Sequence, residues 1–422
     1  EAPPKSRGIS FSFEDLFGRR LPIWAGGITL AIAGVLIVKY AIDAGIFGRV
    51  FTPTVQIICG LLFGSGLIAG AEAARRYEAR VQDPRVAQAL SGAGIATLYA
   101  AVLMASNFYQ LISPLTAFIA FAAITAAALG LSIRFGPPTA LLGLAGGLAA
   151  PAMIGGLDSN VSLLAVYLGL TIAGMAGVSR MQRWPMLGLA ALVGGAGWSL
   201  WMILASNALD VIGSLSVGGF VILLAIGLPL LVMRGPRAAL MRSAAAIVGA
   251  AQLAMLVAFG GFEPLHWGLF ALLAAAGQWL SWREKGFEIV PTISLGTSVM
   301  LLAIWGDASA FWFTLIGGSL AVIHAGPLLW KMWRIPSRVQ HALELSGLAV
   351  AIPALSMIHF YLFDGSRDLL FAVLTFAASL IPAVAVATGW KSEGRDGDTR
   401  FMWLTATSGI LLVGALCFAM PS

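Results

Sequence analysis

The side chains able to do chemistry in this chain are few, and most stand alone inside apolar runs. In AGVLIVKYAIDAGIFG, Lys39 and Asp43 lie four positions apart and so share one helix face at the rim of a hydrophobic stretch. Exposed, such a pair contributes about 0.3–0.5 kcal/mol; partly dehydrated, separating it costs far more. Two roles fit. Lys39 can extend its ammonium to an interface with Tyr40 as an aromatic anchor, or Lys39, Tyr40 and Asp43 can line an outward-facing polar vestibule. Glu263 and His266 in GFEPLHWG begin a helix at the same level, and His359 and Asp364 in SMIHFYLFDG end one there. If these groups converge, a histidine–carboxylate cluster would bind a metal or relay protons. Four histidines spread over distant segments argue against a metal, and capping at the interface explains each group equally. His324 in GGSLAVIHAGPLLW and Gln252 lie well inside apolar segments, where hydrogen bonding to a neighbouring helix is the ordinary role. Glu72 and Glu344 stand near basic residues, and ion pairing is expected for both.

Those residues are carried by a chain built for lipid. Of its 422 residues 59% are hydrophobic and 10% charged, where soluble domains carry about 25% charged residues. A bilayer core of about 30 Å needs roughly 20 apolar residues per helix, and the sequence offers about fifteen such runs. They fall near 21–42, 54–73, 86–109, 114–133, 137–156, 160–179, 185–205, 214–233, 238–259, 264–282, 289–305, 308–330, 340–362, 368–389 and 401–420. The expected fold is an all-α polytopic membrane bundle. Residues 1–20 form a cytoplasmic N-terminal segment that can lie at the interface, and 21–422 a single transmembrane domain. No charged–apolar–small cleavage pattern opens the chain, so no signal peptide is expected. Cys59 and Cys417 each fall in an apolar run, which indicates neither a disulfide framework nor a thiolate metal site. No basic, aromatic-interleaved surface points to nucleic acid, and no cofactor signature is present.

Charge placement tests the span count. With alternating helices, 22 of the 25 basic residues fall on one side, Arg49 and Arg367 on the other, and Lys39 just inside the membrane. Cytoplasmic loops carry such an excess, so the N-terminus is expected inside and, after an odd number of spans, the C-terminus outside. The opposite side is acidic, with Asp43, Asp158, Asp210, Glu263, Asp307, Asp364 and Asp368. Either it merely lacks basic residues or it forms a field attracting cations.

Small residues fill the spans, as in GLLFGSGLIAG and LLGLAGGLAAP, and read as close helix packing rather than phosphate loops. Trp184, Trp282, Trp305, Trp330, Trp333 and Trp390 near span ends read as interfacial anchors. Pro353 and Pro382, near the middle of consecutive spans, each remove a helix hydrogen bond and are candidate kinks, as is Pro151 in GLAAPAMIGG. SPLTAFIAFAAITAAALGLSIRFG from Ser113 resembles EPLHWGLFALLAAAGQWLSWREKG from Glu263, 150 residues on. Shared topology and an internal duplication both account for the likeness.

Three stretches carry a family resemblance: LPIWAGGITLAIAGVLIVKYAIDAGIFG, RVAQALSGAGIATLYAAVLMASNFYQLISPLTAFIAFAA and TALLGLAGGLAAPAMIGG. They resemble the bacterial predicted-membrane-protein family called domain of unknown function 2339, most clearly over residues 21–156. The family's opening helix ends in a basic residue, Tyr and then an acid three positions on, matched here by Lys39, Tyr40 and Asp43. The resemblance implies a multi-pass location in the bacterial inner membrane and brings no activity with it.

Three function classes remain open. Transport or permeation of a small solute or lipid-like ligand accounts best for many packed spans, prolines and scattered intramembrane polar groups. A non-catalytic structural or assembly subunit accounts for the thin supply of intramembrane charge. A membrane-embedded transferase fits least, because the loops are short and no carboxylate or histidine constellation with catalytic spacing appears. The expected partner is the lipid bilayer, together with a membrane-protein partner or a second copy of the chain. The topology is directly testable. After Cys59 and Cys417 are replaced, a cysteine placed at Arg80 should be shielded from an impermeant thiol reagent added outside intact cells, and one at Ser422 should react. Reaction at position 80 from outside would sink the orientation.

Overall fold

A computed structural model of the chain describes residues 52–77, 83–153, 161–205, 210–232, 238–284, 286–334, 339–361, 368–389 and 399–419, with several helical positions between 29 and 40. Every regular element among the described residues is helical. The helices are α1 (Pro53–Arg76), α2 (Pro84–Leu103), α3 (Pro114–Phe135), α4 (Pro137–Met153), α5 (Val161–Gln182), α6 (Pro185–Ala205) and α7 (Val211–Ile222). After them come α8 (Ala238–Phe259), α9 (Pro264–Arg283), α10 (Val290–Ile304), α11 (Ala310–Arg334), α12 (Val339–Ser356), α13 (Asp368–Gly389) and α14 (Thr399–Ala419). Single π turns prolong α2 (Met104–Phe108) and α12 (Met357–Tyr361), and a third (Leu223–Gly227) joins α7 to its continuation Leu228–Val232.

Each expected span from 54–73 onward coincides with one of these helices. The first, 21–42, lies mostly outside the described residues. Among the described residues 11 helices are long and apolar enough to cross a bilayer. Of the other three, α4 has 17 residues and α10 has 15, or about 25 and 22 Å at the helical rise, short of the roughly 30 Å core. The third, α9, is long enough but is diluted by His266, Gln278 and its tryptophans.

Local chemistry sets the helix starts. Proline occupies the first turn of α1, α2, α3, α9 and α10, where its missing N–H costs nothing. The side chains of Asp83, Ser113 and Asp210 accept from the backbone N–H of Arg85, Thr116 and Gly213 and so cap α2, α3 and α7. After α3 and α9 the backbone turns through positive φ at Gly136 and Gly286, at 92° and 103°, a conformation that glycine adopts without strain.

Helices meet where glycine lets backbones approach. On the α1–α2 seam a Cβ at Gly94 would stand 2.7 Å from the Gly64 carbonyl oxygen, and one at Gly64 would stand 3.0 Å from the Gly94 oxygen. The glycines of α4 receive three neighbours: Ala128 of α3 against Gly143, the Tyr99 ring against Gly146, and Thr125 with Thr171 against Gly147. Packing order then repeats along the chain. Within α2–α7 each helix packs on the next, and α2, α3, α4 and α5 also pack on the helix two further on. The same rule runs on without a break: from α2 to α13 each helix packs on the next, and from α2 to α12 also on the helix two further on. The paired sequences at Ser113 and Glu263 begin α3 and α9; Gly136 directly follows α3, and Gly286 lies three residues beyond the end of α9. As a faint sequence repeat, that pair sets α2–α7 beside α8–α13, between α1 and α14.

Lipid-facing surface remains at the periphery: Leu170, Val322 and Ile410 are more than two-thirds exposed (72%, 72% and 71%). At the basic end Glu72 pairs with Arg75 at 2.8 Å, Arg76 at 3.1 Å and Arg134 of α3 at 3.8 Å, as expected. Glu344 accepts hydrogen bonds from Thr292 and Gln340, at 2.5 and 2.9 Å, while the basic side chains near it in sequence, Arg334 and Arg338, lie outside the described ones. Trp305 also departs from its expected place. It is buried among Phe262, Trp267 and Phe313, because the short α10 ends beneath neighbours that cover it.

The glycine seam predicts that Gly94→Leu destabilises the bundle by about 1–3 kcal/mol, the usual range for overpacking against a backbone that cannot give way. Gly177→Leu, at a position where a Cβ would meet nothing within 4 Å, should change the thermal midpoint in detergent far less. Equal shifts for the two would contradict the close-approach reading.

Candidate functional site

The intramembrane polar groups are engaged mainly with neighbouring helices. Gln252 of α8 donates to the Ala196 carbonyl at 2.8 Å and accepts from Ser199 at 3.0 Å, both on α6. His266 at the start of α9 bonds Ser214 of α7 through Nε2 at 2.9 Å. His324 of α11 is held on two sides. Ser298 of α10 donates to the Ser294 carbonyl at 2.7 Å, so its oxygen accepts from His324 Nε2–H at 3.2 Å. Nδ1 then accepts from the Gln278 amide of α9 at 3.1 Å. The ring is thus assigned as the neutral tautomer with its proton on Nε2. His359, in the π turn after α12, donates from Nε2 to the Leu302 carbonyl of α10 at 2.8 Å.

The sequence-derived candidates are partly gathered by these contacts. His266 and His359 lie at one aromatic layer, linked by ring contacts from Trp267 to Trp305 (5.3 Å), Trp305 to Phe313 (6.2 Å) and Phe313 to His359 (5.0 Å). Glu263 is exposed at the N-cap of α9 and makes no side-chain cap bond. Lys39 and Tyr40 are helical and exposed, while Asp43 and Asp364 lie outside the described residues. Pro151, Pro353 and Pro382 are all internal to helices, in α4, α12 and α13.

Pro151 shows how a missing donor is compensated. Without an N–H at position 151, the Gly147 carbonyl one turn earlier loses its helix partner. The Tyr167 hydroxyl of α5 donates to it at 2.9 Å. Trp198 Nε1 of α6 donates to the next carbonyl, Leu148, at 3.0 Å, and the Asn107 amide to that of Met153. Three neighbouring segments therefore tie down the end of α4.

A cavity of about 140 Å³ lies among α10, α11, α12 and α13. His324, Ser298 and Ser356 supply polar atoms to a wall that is otherwise mostly apolar, from Leu302, Phe313, Leu320 and Leu355 among others. Thr314 and Gly318 of α11, also in the wall, are exposed, so the cavity reaches the outer surface of the bundle there. Among the described residues the lining contains no carboxylate and no cysteine. Both ring nitrogens of His324 are committed, and the Ser356 hydroxyl donates to the Ile352 carbonyl at 2.8 Å. What the arrangement offers is binding by shape.

Sequence reasoning singled out His324 and His359 but not Gln278, Ser298 or the small residues of the cavity wall. Gln278 interrupts LLAAAGQWL as Gln252 interrupts its own apolar run, and the same signal marks both. Nothing in the sequence distinguishes Gly317 from the many packing glycines.

Long apolar helices, lipid-facing side chains and helix-to-helix polar bonds define a multi-pass membrane protein. Over residues 18–421 the sequence matches the family described as predicted membrane protein (DUF2339), and the chain belongs to that family. No curated protein and no solved structure matches it.

The compensation at Pro151 yields a double-mutant test. Tyr167→Phe should cost about 1 kcal/mol, the usual worth of an interhelical hydrogen bond in a membrane protein. In a Pro151→Ala background, where the helix supplies its own N–H to Gly147, the same change should cost measurably less. Additive losses in thermal unfolding would refute the link.

Proposed function

We propose that the protein receives a small, largely apolar or lipid-like ligand in the cavity among α10, α11, α12 and α13, as the binding step of its permeation or handling within the bilayer. The observation that carries this reading is a cavity of about 140 Å³ open to the outer surface at Thr314 and Gly318. Packed interiors leave few voids larger than a water molecule, and an apolar cavity of about 150 Å³ admits a benzene ring. A polar ion is disfavoured by the wall chemistry, since the serines and His324 already have partners.

A structural or assembly role is the second reading, favoured by the use of Gln252, His266 and His324 as links between helices. The basic excess and the family's membrane character support a bacterial cytoplasmic membrane, with the basic end of the bundle inside. The exposed apolar periphery supports lipid as its immediate partner.

The test uses trifluoromethyl-phenyl-diazirine, a ring-sized photoreagent that partitions into lipid. In protein reconstituted into phosphatidylcholine vesicles it should label the buried positions Leu302 and Leu320. Ala321→Phe should remove that labelling while sparing the outward-facing Val322. Labelling confined to outward positions in the unmodified protein would overturn the binding reading and leave the structural one.

A further inference from the structure

The two repeats allow the cavity to be compared with its own counterpart. Counted from the paired sequences that open α3 and α9, α5 and α11 are the corresponding helices. Setting Met175 against His324 brings their buried faces into register: Leu164, Tyr167, Thr171, Ala176 and Ser179 fall on Phe313, Ile316, Leu320, Ala325 and Leu328, every one buried. Two further positions on that face differ sharply in size. Leu168 and Ile172, both at 0% exposure, fall on Gly317 and Ala321, which line the cavity. In the first repeat Ile172 presses onto α6, its Cδ1 2.7 Å from the place of a Cβ on Gly195. In the second, a Cβ on Gly317 would meet only Leu302 Cδ1, at 4.0 Å, and one on Gly318 nothing within 4 Å. The cavity is the space that two branched alkyl side chains fill in the first repeat and that the second does not fill with side chains.

We infer that this space takes a short stretch of one hydrocarbon chain of a membrane lipid, an assignment that rests on the ligand-binding reading above and specifies its ligand. The equivalent place in the first repeat is held by alkyl groups. At the deep end His324 has both nitrogens committed to Gln278 and Ser298, so it presents no free polar atom to a ligand. The opening at Thr314 and Gly318 lies on the outer surface of α11, beside the exposed Leu315 and Val322, where lipid chains would be the adjoining phase. A chain entering there leaves one apolar phase for another. Dispersion packing against the wall, not the hydrophobic effect, holds it.

The test reconstitutes the full chain in phosphatidylcholine vesicles containing a phosphatidylcholine with a diazirine on one acyl chain, and maps adducts by peptide mass. Adducts are expected on buried Leu302 and Leu320 as well as on outward Leu315 and Val322. Gly317→Leu combined with Ala321→Ile, which restores the first repeat's residues, should abolish the buried adducts and leave the outward ones. Ala321→Ile alone serves the same comparison if the double variant does not assemble. Buried adducts that persist in the filled variants overturn the assignment. So do acyl adducts confined to outward positions while trifluoromethyl-phenyl-diazirine still reaches Leu302, a result that leaves the ligand-binding reading standing. Failure of both reagents to reach Leu302 and Leu320 overturns the two together.

Discussion

Helices surrounded by lipid gain nothing from hiding apolar side chains, since the lipid is as apolar as they are. Contact must therefore come from close backbone approach and from polar groups that find partners across a seam. The α1–α2 pair shows the first device, with Gly64 and Gly94 opposed so tightly that neither has room for a methyl group. The Gln252, His266 and His324 contacts show the second, each joining helices distant in sequence. With these two devices glycines such as Gly64, Gly94 and Gly147 serve close packing rather than looseness.

The same constraint explains how the bundle tolerates broken helix ladders. An unsatisfied carbonyl in a lipid environment costs several kcal/mol, so a proline inside a span requires a substitute donor nearby. At Pro151 the substitute is Tyr167, with Trp198 and Asn107 serving the adjoining carbonyls. These donors come from three different segments, so the break in α4 fastens its neighbours together. Near Pro382, Ser408 of α14 donates to the Ser379 carbonyl at 3.1 Å, a further cross-helix bond at the same kind of site.

The two halves of the bundle follow one packing rule and differ in how one seam is filled. Helices α2–α7 and α8–α13 pack in the same order, but the first set is filled with Leu168, Ile172 and Met175 where the second has Gly317, Ala321 and His324. Small residues at those two places leave volume open, while Tyr167, Thr171 and Ala176 fall on the equally buried Ile316, Leu320 and Ala325. The polar ring at Met175's counterpart is then held by Gln278 and Ser298, so the opened half gains interhelical bonds where it loses alkyl packing.

Much of the architecture was readable from the chain alone because its causes are local. Apolar length, prolines at helix starts and the sorting of basic residues to one side act within a single span, and α6, α8 and α13 begin and end where the sequence places them. Glu72 finds its arginines because two are within a turn on its own helix. The candidate site was legible only in fragments. His324 announced itself as a polar group in an apolar run, but its partners Gln278 and Ser298 sit 46 and 26 residues away, and which seam they share is set by packing. Trp305 looked like an interfacial anchor until the short α10 and its neighbours enclosed it. The likeness between the Ser113 and Glu263 segments fits shared topology and duplication alike, because the helix contacts follow one rule along the whole bundle. Whether a glycine is a tight seam, as at Gly94, or the wall of a cavity, as at Gly317, depends on what stands opposite its missing Cβ, which only the tertiary structure decides.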